Sequence, residues 1–175
     1  PTIGVDYFSK LQKHDDYFIK LNMWDTAGQE KFRSIVHQYF RDVSAAILMF
    51  DLTNLDSLND LNYWINMVKT YSTCNHNHPI FLFGSKKDLI NNATQKIDGH
   101  LIENFINKHD INYYQEISTF NENYMPQQII YDIIEEVIKQ PYNLDCKGVQ
   151  INNDLITHLN NDNLNKKKTK CCIIS

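Results

Sequence analysis

The chain has 175 residues, 42% apolar and 12% aromatic, with a formal net charge of −4. That length and apolar share fit one packed domain with room for a tail. The charge leaves no overall basic footprint for nucleic acid, and the longest clearly apolar run, Ala45–Phe50, is far too short to cross a bilayer.

The chain opens "PTIGVDY", with neither a Met nor a charged-then-apolar leader, so we expect residues to have been removed upstream. Two strands are predicted next, Tyr7–Gln12 and Tyr17–Trp24, around the turn-prone "KHDD". In the second, Ile19, Leu21 and Met23 form one apolar face, as in the antiparallel part of a mixed sheet. Ala45–Leu52 is nearly continuously apolar and predicts a strand covered on both faces. Ser57–Thr70 carries Leu58, Leu61, Ile65 and Val68 at helical spacing, with Asp56 or Ser57 as candidate cap.

Pro79–Ser85 predicts a second buried strand. Ile97–His109 repeats Leu101, Ile102, Phe105 and Ile106 as a helical face. Asn112–Ile117 predicts a third short strand, and Tyr124–Lys139 a last helix ending before Pro141. Strands alternating with helices from Ala45 onward argue for an α/β fold with a mostly parallel sheet and right-handed crossovers. In such sheets ligands sit at the carboxyl ends of the strands, where Asp25, Asp51 and "GSKKD" fall. Beyond Pro141 the chain is rich in Asn and poor in aromatics, and residues 141–175 are expected to be a disordered tail.

The cysteines, Cys74, Cys146, Cys171 and Cys172, make no disulfide framework and no CxxC pair, which favours a reducing compartment. "NAT" at Asn92–Thr94 matches a glycosylation acceptor that a cytosolic chain would not use. "CNHNH", Cys74–His78, crowds zinc-type ligands into one loop without a second pair to complete a tetrahedral set.

Three separated stretches, "PTIGVDY", "WDTAGQEKFRS" and "GSKKDL", stand in the order and spacing of the Rab branch of the Ras-like small GTPases, which this chain resembles over residues 1–140. "FDLTNLDSL" and "YWI" resemble Rab sequences too. The resemblance implies a three-layer P-loop NTPase fold, and a switch that binds GTP or GDP with Mg²⁺ and hydrolyses GTP. It also implies recruitment of effectors in vesicle traffic. Implied partners are effectors, an exchange factor, a GTPase-activating protein and the prenylation machinery.

In that reading the hydroxyl of Thr2 and the carboxylate of Asp25, through a water, serve Mg²⁺, which takes hard oxygen ligands. Gly28, lacking a Cβ, lets the backbone approach the terminal phosphate, and Gln29 orients the attacking water. Asp88 accepts from guanine N1–H and its amino group, a donor pair that adenine lacks. Lys86 lays its stem over purine and ribose. Ser85 stands where the family has Asn and cannot offer both an amide donor and a carbonyl acceptor. Ser118 and Thr119, in "EISTF", stand where the family has Ser-Ala-Lys and offer backbone N–H groups to the guanine oxygen. Phe120 replaces the Lys. Phe8, Trp24 and Tyr39 are either buried packing or an aromatic surface for effectors.

The chain ends "CIIS" after Cys171, a prenylation box at Cys172–Ser175 with Lys166, Lys167, Lys168 and Lys170 upstream. The double cysteine suggests two geranylgeranyl groups, whereas the terminal Ser suits farnesylation of Cys172 alone. A lipid plus basic residues attaches a protein to the cytoplasmic face of a membrane. The family's G domain opens with a strand, a GxxxxGK[ST] phosphate loop and a helix, and no glycine spacing here fits that loop. Two readings follow: a Rab-type GTPase with further N-terminal residues, or a nucleotide-free tethered module. The strand expected from the family lies between the one ending at Asp25 and Ala45–Leu52, so those two edges are expected to be unpaired.

Overall fold

The computed structural model describes residues 4–14, 17–27, 36–41, 43–71, 78–90, 96–120, 126–139 and the backbone of 166–174. β1 (Val5–His14) and β2 (Tyr17–Thr26) pair antiparallel, with Val5 opposite Thr26. Pairing in this register puts Ile19 and Leu21 in the core, as the alternation predicts. A short 3₁₀ turn at His37–Phe40 precedes β3 (Ala45–Asp51), α1 (Leu55–Tyr71) and β4 (Ile80–Ser85). Another 3₁₀ turn, Lys87–Leu89, leads on to α2 (Gly99–His109), β5 (Tyr113–Glu116) and α3 (Pro126–Lys139). The last element is β6 (Lys166–Ile174).

The six strands run in the order β1-β2-β6-β3-β4-β5, with β3, β4 and β5 mutually parallel. The two-residue period of β3 and β4 sorts their side chains to opposite faces. Ala46, Leu48, Phe50, Ile80 and Leu82 pack under α1 and α2, against Leu58, Leu61, Trp64, Ile65, Val68, Ile102 and Phe105. Ala45, Ile47, Phe81 and Phe83 pack on the other face against Ile133 and Val137 of α3. The result is the predicted three-layer α/β architecture. Each fully buried aliphatic or aromatic side chain contributes roughly 1.5–3 kcal/mol.

Helix ends follow local chemistry. Asp98 caps α2, its Oδ1 accepting from the His100 N–H at 3.0 Å, so α2 begins two residues later than the apolar pattern suggests. α3 opens on Pro126, whose missing N–H costs nothing in the first turn.

The main departure from expectation is β6. Residues 166–174, expected within the disordered tail, form a strand parallel to both neighbours. Phe18 to Thr26 of β2 pair with Lys166 to Ile174, and Ala45 to Leu48 of β3 pair with Cys171 to Ile174. The edges of β2 and β3, expected to be open, are therefore bridged. Ladder bonding involves the backbone, and two facing edges of unpaired N–H and C=O groups accept an extended segment almost irrespective of its side chains. Residues 140–165 lie outside the described residues.

Candidate functional site: the carboxyl ends of β3, β4 and β5

Three parallel strands end side by side, at Asp51, Ser85 and Glu116. Backbone bonds lock these ends together. Ile117 N–H donates to Gly84 C=O at 2.8 Å, Lys87 N–H to Ile117 C=O at 3.1 Å, and Leu52 N–H to Ser85 C=O at 3.1 Å. Gly84 is required for this closeness, because a Cβ built there would lie 2.7 Å from Leu52 Cδ2 and 2.9 Å from its Cγ.

Of the predicted base-reading residues, Asp88 and Ser118 lie in contact, and Ser85 and Lys86 precede Asp88 in the same loop. The Ser118 hydroxyl donates to Asp88 Oδ1, which holds the exposed carboxylate at the surface of the loop. The Phe120 N–H in turn donates to Ser118 Oγ at 3.2 Å, bending the chain back after β5. Thr119 is exposed, and Phe120 is 88% exposed. A carboxylate held in this way can accept from a planar ligand that offers two adjacent N–H donors. Lys87 adds a salt bridge to Glu116, Nζ to Oε2 at 3.4 Å.

Two details differ from the sequence reading. The Ser85 hydroxyl donates to Phe50 C=O at 2.7 Å, so it ties β4 to β3. The Lys86 ammonium lies 2.6 Å from Asp51 Oδ2, while the Lys86 backbone is left-handed with φ of 62°. Asp51 Oδ1 accepts from the Thr53 N–H at 2.8 Å and the Thr53 hydroxyl at 2.7 Å. Burial alone would raise the Asp51 pKa, but the bonds from Lys86 and Thr53 overcome it and hold the carboxyl below its ordinary value. Sequence reasoning noticed Asp51 only as a strand end, and its pairing with Lys86 had no signal in the spacing.

Asp25 is the penultimate residue of β2, opposite Asp6 of β1 and Ile173 of β6. Thr2, Gly28 and Gln29 lie outside the described residues, as do Cys74–Asn77 and Asn92–Thr94. Cys171 and Cys172 lie in the backbone of β6. Among the described residues, no three His, Cys, Asp or Glu side chains gather as a metal cluster, and no helix is long and apolar enough to cross a membrane.

Of the aromatics, Phe8 is 54% exposed on β1, beside the equally exposed Tyr7. The Tyr7 ring lies 5.1 Å from that of Trp24. Trp24 and Tyr39 are partly buried against the main core, so the packing role holds for these two.

The family model described as the Ras family matches residues 1–139. Ras-related protein Rab-26 of Homo sapiens is 40% identical over 87 residues, covering 50% of this chain and 33% of the relative. Ras-related protein Rab-37 of Homo sapiens is 39% identical over 88 residues, 50% of this chain and 39% of the relative. Ras-related protein Rab-32D of Dictyostelium discoideum is 31% identical over 148 residues, 82% of this chain and 63% of the relative. The chain thus spans between one third and two thirds of the length of these relatives. With the α/β layers, the converging loop residues and a family match over most of its length, the chain belongs to the Ras family, as a Rab-like small GTPase.

Proposed function

We propose that the protein is a guanine-nucleotide switch of the Rab type, which binds GTP and GDP with Mg²⁺, hydrolyses GTP slowly and recruits effectors to a membrane surface. The observation that carries this reading is the pairing of Ser118 with Asp88 where the carboxyl ends of β4 and β5 meet. Asp88 reads the two guanine N–H donors, and Lys86 lies along the base. Ser85 braces the loop, and Ser118 with Thr119 offers backbone N–H groups to the guanine oxygen. Thr2, and Asp25 through a water, would hold Mg²⁺, which would supply charge neutralisation at the phosphates. Gly28 admits the terminal phosphate, and Gln29 holds the water. Cys171 and Cys172 take prenyl groups, and with Lys166, Lys167, Lys168 and Lys170 they tether the protein to the cytoplasmic face of an endomembrane or the plasma membrane, with a cytosolic pool. Partners are effectors, an exchange factor, a GTPase-activating protein and the prenylation machinery.

The test is equilibrium titration of the full-length protein with a fluorescent GTP analogue. Saturable binding is expected. Asp88→Asn should weaken it by at least tenfold, since a hydrogen bond to a charged group is worth about 1.5–3 kcal/mol. Absence of saturable binding would replace the switch with a tethered, nucleotide-free module.

A further inference from the structure

We propose that Asp51 is a positioning residue, whose carboxylate holds Lys86, and through it the base-reading loop, in the conformation that receives guanine. This rests on the guanine-binding reading above. Asp51 ends β3 and belongs to no motif quoted for the base, yet it makes a close ion pair, 2.6 Å to Lys86 Nζ.

Three features make it a brace rather than a chance surface contact. First, its two oxygens are divided. Thr53 bonds Oδ1 twice, at 2.8 and 2.7 Å, which sets the carboxylate plane and turns Oδ2 toward Lys86. Its side chain is 17% exposed, so the contact is less screened than an ordinary surface pair.

Second, Asp51 is rooted in a rigid corner. Its N–H donates to Ser57 Oγ at 2.9 Å, and its C=O accepts from the Asn54 N–H at 3.0 Å. The Ser57 hydroxyl lies 2.6 Å from Asn54 C=O, closing the first turn of α1. That helix is anchored one residue later by Leu58 and then by Leu61 in the core.

Third, Lys86 needs holding. Its φ of 62° is left-handed, a region that a residue with a Cβ enters at a cost. A flexible lysine stem does not select that geometry unaided. The neighbouring Ser85 has its hydroxyl on Phe50 C=O, 2.7 Å away, and cannot supply the two-way bonding of an amide. The loop is therefore tied back to β3 twice, by Ser85 to the Phe50 backbone and by Lys86 to the Asp51 side chain.

The experiment is a cycle of Asp51→Asn, Lys86→Met and the double variant. It is read first by amide hydrogen exchange over residues 84–90 in the nucleotide-free full-length protein. Asp51→Asn keeps a carbonyl for Thr53 and removes the charge. Exchange in the loop should rise about two- to fivefold in each single variant, the scale of one well-placed ion pair. The double variant should be no faster than either, with α2 unchanged throughout. The second reading is release of methylanthraniloyl-GDP, which Asp51→Asn should speed about two- to fivefold while leaving the melting temperature nearly unaltered. Exchange unchanged in Asp51→Asn, or effects of the two single variants that multiply, would overturn the proposal. A wild-type protein that takes up no methylanthraniloyl-GDP would defeat the guanine reading, and the exchange cycle would still decide the brace.

Discussion

Gly84→Ala tests how tightly β4 is set against the site. The added Cβ would lie 2.7, 2.9 and 3.3 Å from Leu52 Cδ2, Cγ and Cδ1. Real carbon contacts do not fall below about 3.4 Å without repulsion, since the optimum is roughly 3.5–4.0 Å. Leu52 is 2% exposed and has no solvent to move into. Its own N–H is bound to Ser85 C=O, and its C=O accepts from the Ile97 N–H at 3.1 Å, so the backbone cannot slide either. Overpacking of this kind costs about 1–3 kcal/mol, which lowers Tm by about 2–4 °C per kcal/mol in a protein this size. Urea unfolding of Gly84→Ala, Leu52→Ala and the double variant separates a clash from a general loss. Leu52→Ala alone should cost about 2–5 kcal/mol through its cavity. In the double variant the atoms that collide are gone, so its loss should fall short of the sum by about 1–3 kcal/mol. Additivity within about 0.5 kcal/mol would refute the reasoning.

Three further outcomes are expected. His109 is buried against Phe105, with ring centroids 4.5 Å apart and Nε2 at 2.9 Å from Asn62 Oδ1, and burial, then Lys108 and Lys69, push its pKa below the ordinary 6.5. The unfolded chain then binds the extra proton first, so this contribution is complete above pH 6.5 and is lost as pH falls through the lowered folded value. Denaturation midpoints across that window should slope in wild type and flatten in His109→Gln. Gln29→Leu should slow GTP hydrolysis while sparing GTP affinity, and unchanged single-turnover rates would contradict the water-orienting role. Cys171→Ser with Cys172→Ser should move the protein to the soluble fraction on cell fractionation, and retention with membranes would exclude the lipid reading.

Much of this architecture was legible because local pattern and burial agree. The nearly continuous apolar runs of β3 and β4 predict strands covered on both faces, and Ala46 and Leu48 do face one core while Ala45 and Ile47 face the other. The spacing of Leu58, Leu61, Ile65 and Val68 predicts the buried stripe of α1. The cap was not legible at that helix: Ser57, a candidate for it, sits inside the first turn, and its hydroxyl bonds the Asn54 carbonyl. Asp88 and Ser118 meet because β4 and β5 are adjacent, a contact that the spacing within "GSKKD" does not show. The Asp51–Lys86 pair was not foreseeable, since it depends on two strand ends meeting in register, and nothing in "FDLTN" advertises it. β6 escaped for a related reason. Which segment bridges two edges depends on which edges are open, and "KKKTKCCII" carries no strand period.

The course of β6 leaves the chain with a choice. Cys171 is a rung between Met23 and Ala45, and Cys172 between Trp24 and Ala46. An enzyme that grafts a hydrocarbon onto either sulfur must grip the last residues as a free, extended peptide. It cannot do so while they are stitched into the middle of a sheet with helices over both faces. Lipid attachment at either cysteine and this closed sheet would therefore exclude one another in a single molecule, so any such modification would require residues 166–174 to leave their places beside β2 and β3 first.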